Sequence, residues 1–143
     1  MQIQQISVFI EHIPGRLAEI TEVLAEAGVN IMAISVTDTS DYGLLRCVVD
    51  RLDDALAALK AHNMTYSLTN VIAVAVPDVP GSFSKAVRLL SAKGLDLEYM
   101  YCFVSRKQGK ETVVIRVDDG EAAAEALQAE GWGILDLEAL TAK

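Results

Sequence analysis

One local pattern occurs twice in this chain of 143 residues, and this repeat limits its possible folds more than any other feature. The stretch EHIPGRLAEITEVLAEAGVNI covers residues 11–31, and PDVPGSFSKAVRLLSAKGLDL covers residues 77–97. In both, a Pro-Gly pair precedes apolar residues at helical spacing, and a glycine closes the run. The Pro-Gly pairs lie 66 residues apart, as do Gly28 and Gly94, and after Val104 the offset becomes 68. Few letters are identical, so the repeat predicts two copies of one fold without a recent duplication.

Each copy predicts the element order βαββαβ. IQQISVFI alternates as a strand does, whereas Ile20 and Leu24 belong to an apolar stripe at helical spacing. Glycine favours the end of a helix because it adopts positive φ without strain, so Gly28 is expected to end the first helix. In the first copy we predict strands at 3–10, 30–38, 44–50 and 64–68, with helices at 14–27 and 52–62. In the second copy we predict strands at 71–76, 96–104, 111–117 and 133–139, helices at 80–93 and 120–130, and a hairpin tip at 105–110.

Two helices packed on one face of four strands give an α+β sandwich of the ferredoxin-like type. We therefore predict two such βαββαβ sandwiches, domain 1 at residues 1–69 and domain 2 at residues 70–143. The segment LTN that joins them is short. We expect the two sandwiches to pack as a pseudo-dimer, which would cover strand edges otherwise exposed to aggregation.

The charge of the chain argues against nucleic acid and membrane surfaces as partners. The net charge is −8, with 12 Lys and Arg against 20 Asp and Glu. Both halves are acidic, and neither has the basic stripe that phosphate contacts require. The SRKQGK segment at 105–110 is the one basic cluster, and we interpret it as a solvated hairpin tip.

Cysteine spacing and the N-terminus predict a cytoplasmic protein. Cys47 and Cys102 lie in strand-like runs without the short spacing of a metal or redox motif, so we expect both to be small core residues. The N-terminal MQIQQISVFI has no basic region followed by a long apolar run, so we predict no secretion signal. Apolar runs are of strand length, far below the roughly 20 residues that span a bilayer.

The Pro-Gly loop has the chemistry of a carboxylate site. It joins a strand to the first turn of a helix, where backbone N–H groups lack partners and carry partial positive charge. Glycine at 15 or 81 allows a ligand to approach the backbone closely. Asn30 and Asp96, at the starts of the second strands, could each accept a hydrogen bond from an α-ammonium group.

Taken together, the strand, x-x-Pro-Gly-x-Leu, the helix and Gly-Val-Asn-Ile resemble the ACT domain, a family of small amino-acid-sensing regulatory modules. The resemblance covers about residues 3–139, and the whole chain is similar to a tandem-ACT protein. It implies a homodimer and a ligand held between two ACT units, by the Pro-Gly loop of one and the residue that opens strand two of the other. Carried over by position, the ligand-binding residues are His12, Ile13, Pro14, Gly15, Arg16, Leu17 and Asn30 in the first unit, and Asp78, Val79, Pro80, Gly81, Ser82, Phe83 and Asp96 in the second.

The chain also departs from its serine-binding relatives. Those carry a His four residues before the proline and an Asn two before it. Here the same positions hold Ile10 and His12 in the first unit, and Val76 and Asp78 in the second. This argues against serine as the ligand and indicates that the two pockets differ.

Several features have a structural alternative. Each Pro-Gly pair could be a helix-entry turn alone, and Asn30 could belong to a capping turn. His12 could be a solvated loop residue, a ligand contact or a pH sensor. Tyr99, Tyr101 and Phe103 alternate along one strand, as either sheet packing or an aromatic ligand or dimer surface.

Enzymatic activity is not expected. The sequence has no nucleophile with a base at motif spacing, no phosphate loop and no metal cluster, so we predict no cofactor and no metal. Its two histidines leave little general acid–base chemistry. We predict a regulatory protein that senses a small amino acid, with a subunit that docks on an amino-acid biosynthetic enzyme, of the acetolactate-synthase small-subunit type, as the alternative. A small enzyme of acylphosphatase type is a third reading.

Overall fold

A computed structural model describes residues 2–104 and 109–142. Its elements in chain order are β1 (Ile3–Ile10), α1 (Arg16–Glu26), β2 (Ile31–Asp38), β3 (Gly43–Val49), α2 (Leu52–Ala61), β4 (Tyr66–Pro77), α3 (Ser82–Ala92), β5 (Leu97–Cys102), β6 (Lys110–Val117), α4 (Gly120–Ala129), β7 (Gly133–Leu135) and α5 (Leu137–Thr141). The predicted βαββαβ order, repeated twice, is confirmed. Of the predicted hairpin tip, residues 105–108 lie outside the described residues.

The chain divides into two compact units. We call residues 5–69 the N-terminal unit, and residues from 70 onward, with the described residues before 5, the C-terminal unit. In the N-terminal unit β3 pairs antiparallel with both β1 and β2, and β1 lies beside β4, where the Phe9 N–H donates to the Thr65 carbonyl. The order β2-β3-β1-β4 is that of a ferredoxin-like sheet.

Alternation along β1 explains how the N-terminal unit forms its core. Ile6 and Val8 are fully buried and face the helices, as does Leu24 of α1. Leu45 of β3 and Leu59 of α2 complete the centre of this cluster. One buried stripe per helix and one buried face per strand therefore suffice to build the sandwich.

The C-terminal unit repeats this construction. Its strand order is β7-β4-β6-β5, with antiparallel pairing throughout. Ile72 and Val74 of β4 pack with Leu90 of α3 and Leu127 of α4, all almost fully buried. Leu90 occupies the position of Leu24, as the repeat predicts.

The structure confirms the offsets read from the sequence. Helices α1 and α3 have the same length and start 66 residues apart, and α2 and α4 start 68 apart. Gly28 and Gly94 both have positive φ, 74° and 72°, one residue beyond the C-caps of α1 and α3. The predicted helix ends are confirmed in both copies.

Three predictions about local structure are wrong. Residues 64–68 and 71–76 were expected as separate strands, but β4 is continuous through Leu68 and Val71. Residues 136–139 do not extend β7, because the Asp136 carboxylate accepts from the Ala139 N–H and starts α5. Cys102 is exposed rather than in the core, because it ends β5, the outer strand of its sheet.

Cys47, by contrast, is fully buried as predicted. Burial disfavours the thiolate and raises the pKa of the Cys47 thiol from 9.0 to about 12. Among the described helices, none combines the length and apolar character needed to cross a membrane.

Candidate functional site

The Pro-Gly loop of the N-terminal unit is a tight turn that leads directly into α1. The Arg16 N–H donates to the Ile13 carbonyl at 3.1 Å, which closes a four-residue turn. Gly15, third in this turn, has φ 83° and ψ 0° and is also the N-cap of α1. These angles belong to the third position of a type II turn, which favours glycine, and proline favours the second. The Pro-Gly pair is therefore explained by backbone geometry.

The C-terminal unit builds the same turn from different neighbours. The Ser82 N–H donates to the Val79 carbonyl at 3.3 Å, and Gly81 has φ 89° and ψ −5°. A Cβ built on Gly15 or on Gly81 meets nothing within 4 Å, so open space lies in front of both glycines.

Both helices begin without a side-chain cap. The Glu19 N–H donates to the Gly15 carbonyl, and Lys85 does the same to Gly81. Within the described residues no side chain caps α1 or α3, so backbone N–H groups of each first turn are left without a protein acceptor. By comparison, Asp119 and Asp136 do cap their helices.

Exposed apolar side chains flank each of these helix starts. Ile13 is 55% exposed and Leu17 37%. Their counterparts 66 residues on, Val79 and Phe83, are 61% and 42% exposed. Both loops thus place apolar surface beside backbone donors, an arrangement suited to a ligand with one anionic and one apolar end.

The predicted ligand residue Arg16 is held by neighbouring carboxylates. Its guanidinium lies 3.1 Å from Glu19 and 3.7 Å from Glu11. The Arg16 side chain is 22% exposed, and its Nε is buried without a hydrogen-bond partner among the described residues. A ligand carboxylate would have to compete with two protein carboxylates for this cation.

His12 is paired rather than solvated. Its Nε2 lies 2.7 Å from Oδ1 of Asp38, the last residue of β2. The sequence analysis missed Asp38. The register of the sheet gives the reason for the contact, because Gly43 faces both Ile10 and Asp38. The ends of β1 and β2 therefore lie at the same end of the sheet as the loop.

Asn30 lies at the other end of that sheet. It precedes Ile31, which pairs with Val49, and its N–H donates to Oδ1 of Asp50 at 2.9 Å. The length of β2, 8 residues at roughly 3.3 Å each, separates Asn30 from the Pro-Gly loop of its own unit by about 25 Å. The Asn30 side chain is exposed.

Asp96 has the equivalent position in the C-terminal unit. It precedes Leu97, which pairs with Val117, whereas the Pro-Gly loop follows Pro77, which pairs with Lys110. Asp96 is exposed, and the Asp78 N–H anchors the far loop by donating to the Gly109 carbonyl at 2.9 Å. In neither unit does the structure bring the predicted strand-two residue to its own loop.

The three aromatic residues on β5 and beyond divide between two situations. Tyr99 and Tyr101 stack at 6.4 Å between ring centroids and are half-buried. Phe103 is 8% exposed, so it belongs to the core.

Comparison with known proteins identifies the family. The family model described as an ACT domain pair matches residues 1–140. The chain belongs to the ACT domain-pair family. No curated protein sequence matches it. Protein BT0572 from Bacteroides thetaiotaomicron is 35% identical, with a TM-score of 0.90, over 98% of this chain and 96% of that one.

Other ACT-pair relatives share the fold at lower identity. The regulatory subunit of aspartate kinase from Thermus thermophilus is 21% identical, with a TM-score of 0.62, over 88% of this chain and 90% of that one. The corresponding subunit from Thermus flavus is 20% identical, with a TM-score of 0.59 and the same coverage. The ACT fold predicted from the Pro-Gly and Gly-Val-Asn-Ile patterns is therefore confirmed.

Proposed function

We propose that this ACT pair is a regulatory sensor that binds a small amino acid at its Pro-Gly loops. The observation that carries the proposal is the uncapped helix start behind a left-handed glycine, built twice with the same geometry. Natural helices usually satisfy their first N–H groups with a side chain, and these two leave them available. The residue-by-residue match to the ACT family supports the same reading.

The chemistry of each loop suits an α-carboxylate. In the N-terminal unit, the N–H groups of Leu17 and Ala18 follow the turn and have no protein acceptor among the described residues. Such donors, at the positive end of a helix, favour an anion without any cationic side chain. The apolar side chains of Ile13 and Leu17 would then contact the apolar part of the ligand.

The α-ammonium group would be bound by a second unit. Asn30 and Asp96 are the proposed acceptors, and each is at the opposite end of the sheet from the loop of its own unit. A ligand that contacts both a loop and one of these side chains must therefore take them from two different units.

A ligand shared in this way would act as a regulator. It would stabilise the arrangement of units that it bridges, by as much as its affinity for that arrangement exceeds its affinity for the others. A hundredfold excess over Kd would raise the free energy of unfolding by about 2.7 kcal/mol.

A thermal-shift screen of the twenty amino acids tests the proposal. At least one amino acid should raise the melting temperature. Gly15→Val and Gly81→Val should abolish that rise, since a branched side chain would fill the open space in front of the loop.

The chain offers matched controls for this screen. Gly28→Val and Gly94→Val impose the same strain at positive φ but lie at the other ends of the helices. They should lower the melting temperature of the free protein and keep the response to the amino acid. If no amino acid gives a shift, or if the loop variants respond as the parent does, the proposal fails.

A second candidate is a regulatory subunit that docks on an amino-acid biosynthetic enzyme. The exposed apolar residues at the loops, and the fold shared with aspartate kinase regulatory subunits, favour it. A co-purified biosynthetic enzyme that is lost from the Val79→Asp variant, in the absence of any amino-acid response, would support this reading over sensing.

A further inference from the structure

The C-terminal unit has a groove in addition to its loop. It is about 770 Å³ in volume and runs along α3, beside the end of β4 and the start of β7. Lys85, Arg88 and Lys110 line it, with Glu130 as the acidic lining residue. Among the described residues none of the three cations forms an ion pair, although the chain as a whole carries −8. A local excess of positive charge without protein partners is unexpected in so acidic a chain.

The N-terminal unit shows that this positive charge is not a property of the repeat. Helices α1 and α3 superpose in sequence at the 66-residue offset that the structure confirms. At the positions of Lys85 and Arg88 the N-terminal unit has Glu19 and Glu22. The same face of the same helix is therefore acidic in one unit and basic in the other.

The wall of the groove is apolar and includes the single tryptophan of the chain. Gly131, with φ 85°, ends α4, and the Trp132 N–H donates to the Leu127 carbonyl at 3.0 Å. This turn holds the half-buried indole in the groove lining together with Leu89. In the N-terminal unit the equivalent turn carries Met64, which is 5% exposed and packs into the core.

We propose that this groove binds a small organic dianion joined to a planar or apolar body. Lys85, Arg88 and Lys110 would neutralise the charge, and Trp132 would contact the body. The volume lies within the range of roughly 300–1,000 Å³ found for small-molecule sites. Organic phosphates and dicarboxylates share this chemistry.

The proposed ligand is separate from the amino acid that we propose for the loops. Val79 and Ser82 belong to both the groove lining and the C-terminal loop, so the two sites adjoin. The cations, however, lie beyond the turn, and a neutral amino acid does not require three of them.

Intrinsic fluorescence provides a direct assay because Trp132 is the only tryptophan. The protein is excited at a wavelength selective for tryptophan and titrated with AMP and with phthalate, both planar dianions. Adenosine and benzoate are the matched probes, which lack the phosphate and the second carboxylate. We expect a saturable change with at least one dianion, weakened by added salt, and at least tenfold weaker binding of its matched probe.

Charge reversal then places the site. Lys85→Glu combined with Arg88→Glu converts this face to the residues of the N-terminal unit, and it should weaken binding at least tenfold. Lys93→Glu makes a charge reversal of the same kind at the C-cap of α3, outside the groove lining, and should change binding less than twofold. Both variants alter exposed side chains, and circular dichroism checks their folding.

The choice between AMP and phthalate distinguishes an organic phosphate from a dicarboxylate. Absence of a saturable change with both dianions would overturn the proposal, as would equal weakening by Lys93→Glu. Gly81→Val separates this result from the amino-acid proposal. It should abolish the amino-acid response of the C-terminal loop while the dianion titration is retained.

Discussion

Gly94→Ala provides a quantitative test of the turn that ends α3. Gly94 has φ 72°, its N–H donates to the Ser91 carbonyl, and the Leu95 N–H donates to the Leu90 carbonyl. A Cβ built on Gly94 meets nothing within 4 Å, so the substitution introduces no clash. Only the backbone conformation is unfavourable, by about 1–2 kcal/mol. Reduced entropy of the unfolded chain offsets about 0.4–1 kcal/mol, so we expect a net loss of about 1 kcal/mol.

Gly133→Ala is the matched control because it makes the same chemical change at negative or extended φ in the same unit. Its Cβ would lie 3.6 Å from the Ala75 Cβ, an ordinary contact. Without strain, the reduced entropy of the unfolded chain leaves stability unchanged or raises it by up to about 1 kcal/mol.

Urea unfolding followed by Trp132 fluorescence measures both variants, since this tryptophan lies in the same unit. The midpoint should fall for Gly94→Ala with the slope unchanged. The melting temperature should fall by about 4–8 °C per kcal/mol for a unit of this size. If Gly94→Ala is as stable as the parent, or if the two variants lose equal stability, left-handed strain is not what requires glycine here.

Three further outcomes are expected. Leu24→Ala removes a fully buried side chain from the N-terminal core and should lower the free energy of unfolding by about 2–5 kcal/mol in urea titrations; a loss below 1 kcal/mol would mean that the core collapses around the cavity. His12→Ala should cost less than about 1 kcal/mol, because its 2.7 Å contact with Asp38 is solvent-exposed, and a larger loss in the same assay would contradict that ranking. At pH 8 a thiol reagent should modify Cys102 promptly and Cys47 only after urea is added, since burial raises the pKa of Cys47 to about 12 and keeps it as the unreactive thiol until the pH approaches that value; prompt modification of two thiols per folded chain would refute this.

The sequence predicted those parts of the fold that depend on local signals. Pro-Gly pairs and the glycines after α1 and α3 mark helix ends because they require particular φ values, so these ends were placed within about two residues. Asp136, by contrast, can either continue an extended segment or cap a helix. Its contact with Ala139 decides for the helix, and nothing in the alternation of residues 133–139 indicates this.

Contacts between distant residues were beyond reach for a different reason. The pairing of His12 with Asp38 depends on the register of β1, β2 and β3, and the basic groove depends on which residues of α3 face β7. Charge summed over each half hides the second feature, because both halves are acidic. Comparing Lys85 with Glu19, position by position in the repeat, would have revealed it.

The outer strands β2 and β5 share an irregularity that has a consequence for folding in a crowded solution. Each contains one extra residue relative to its partner, Met32 between Ile31 and Ala33 in β2, and Glu98 in β5. A bulge bends and twists a strand, which makes its free edge a poor template for another chain. Because one bulge residue is apolar and the other acidic, selection has retained the backbone shape and not the side chain. The bulge therefore acts as an inherited guard against edge-to-edge aggregation, and a deletion that straightened either strand would first reduce the concentration at which the chain refolds without precipitating.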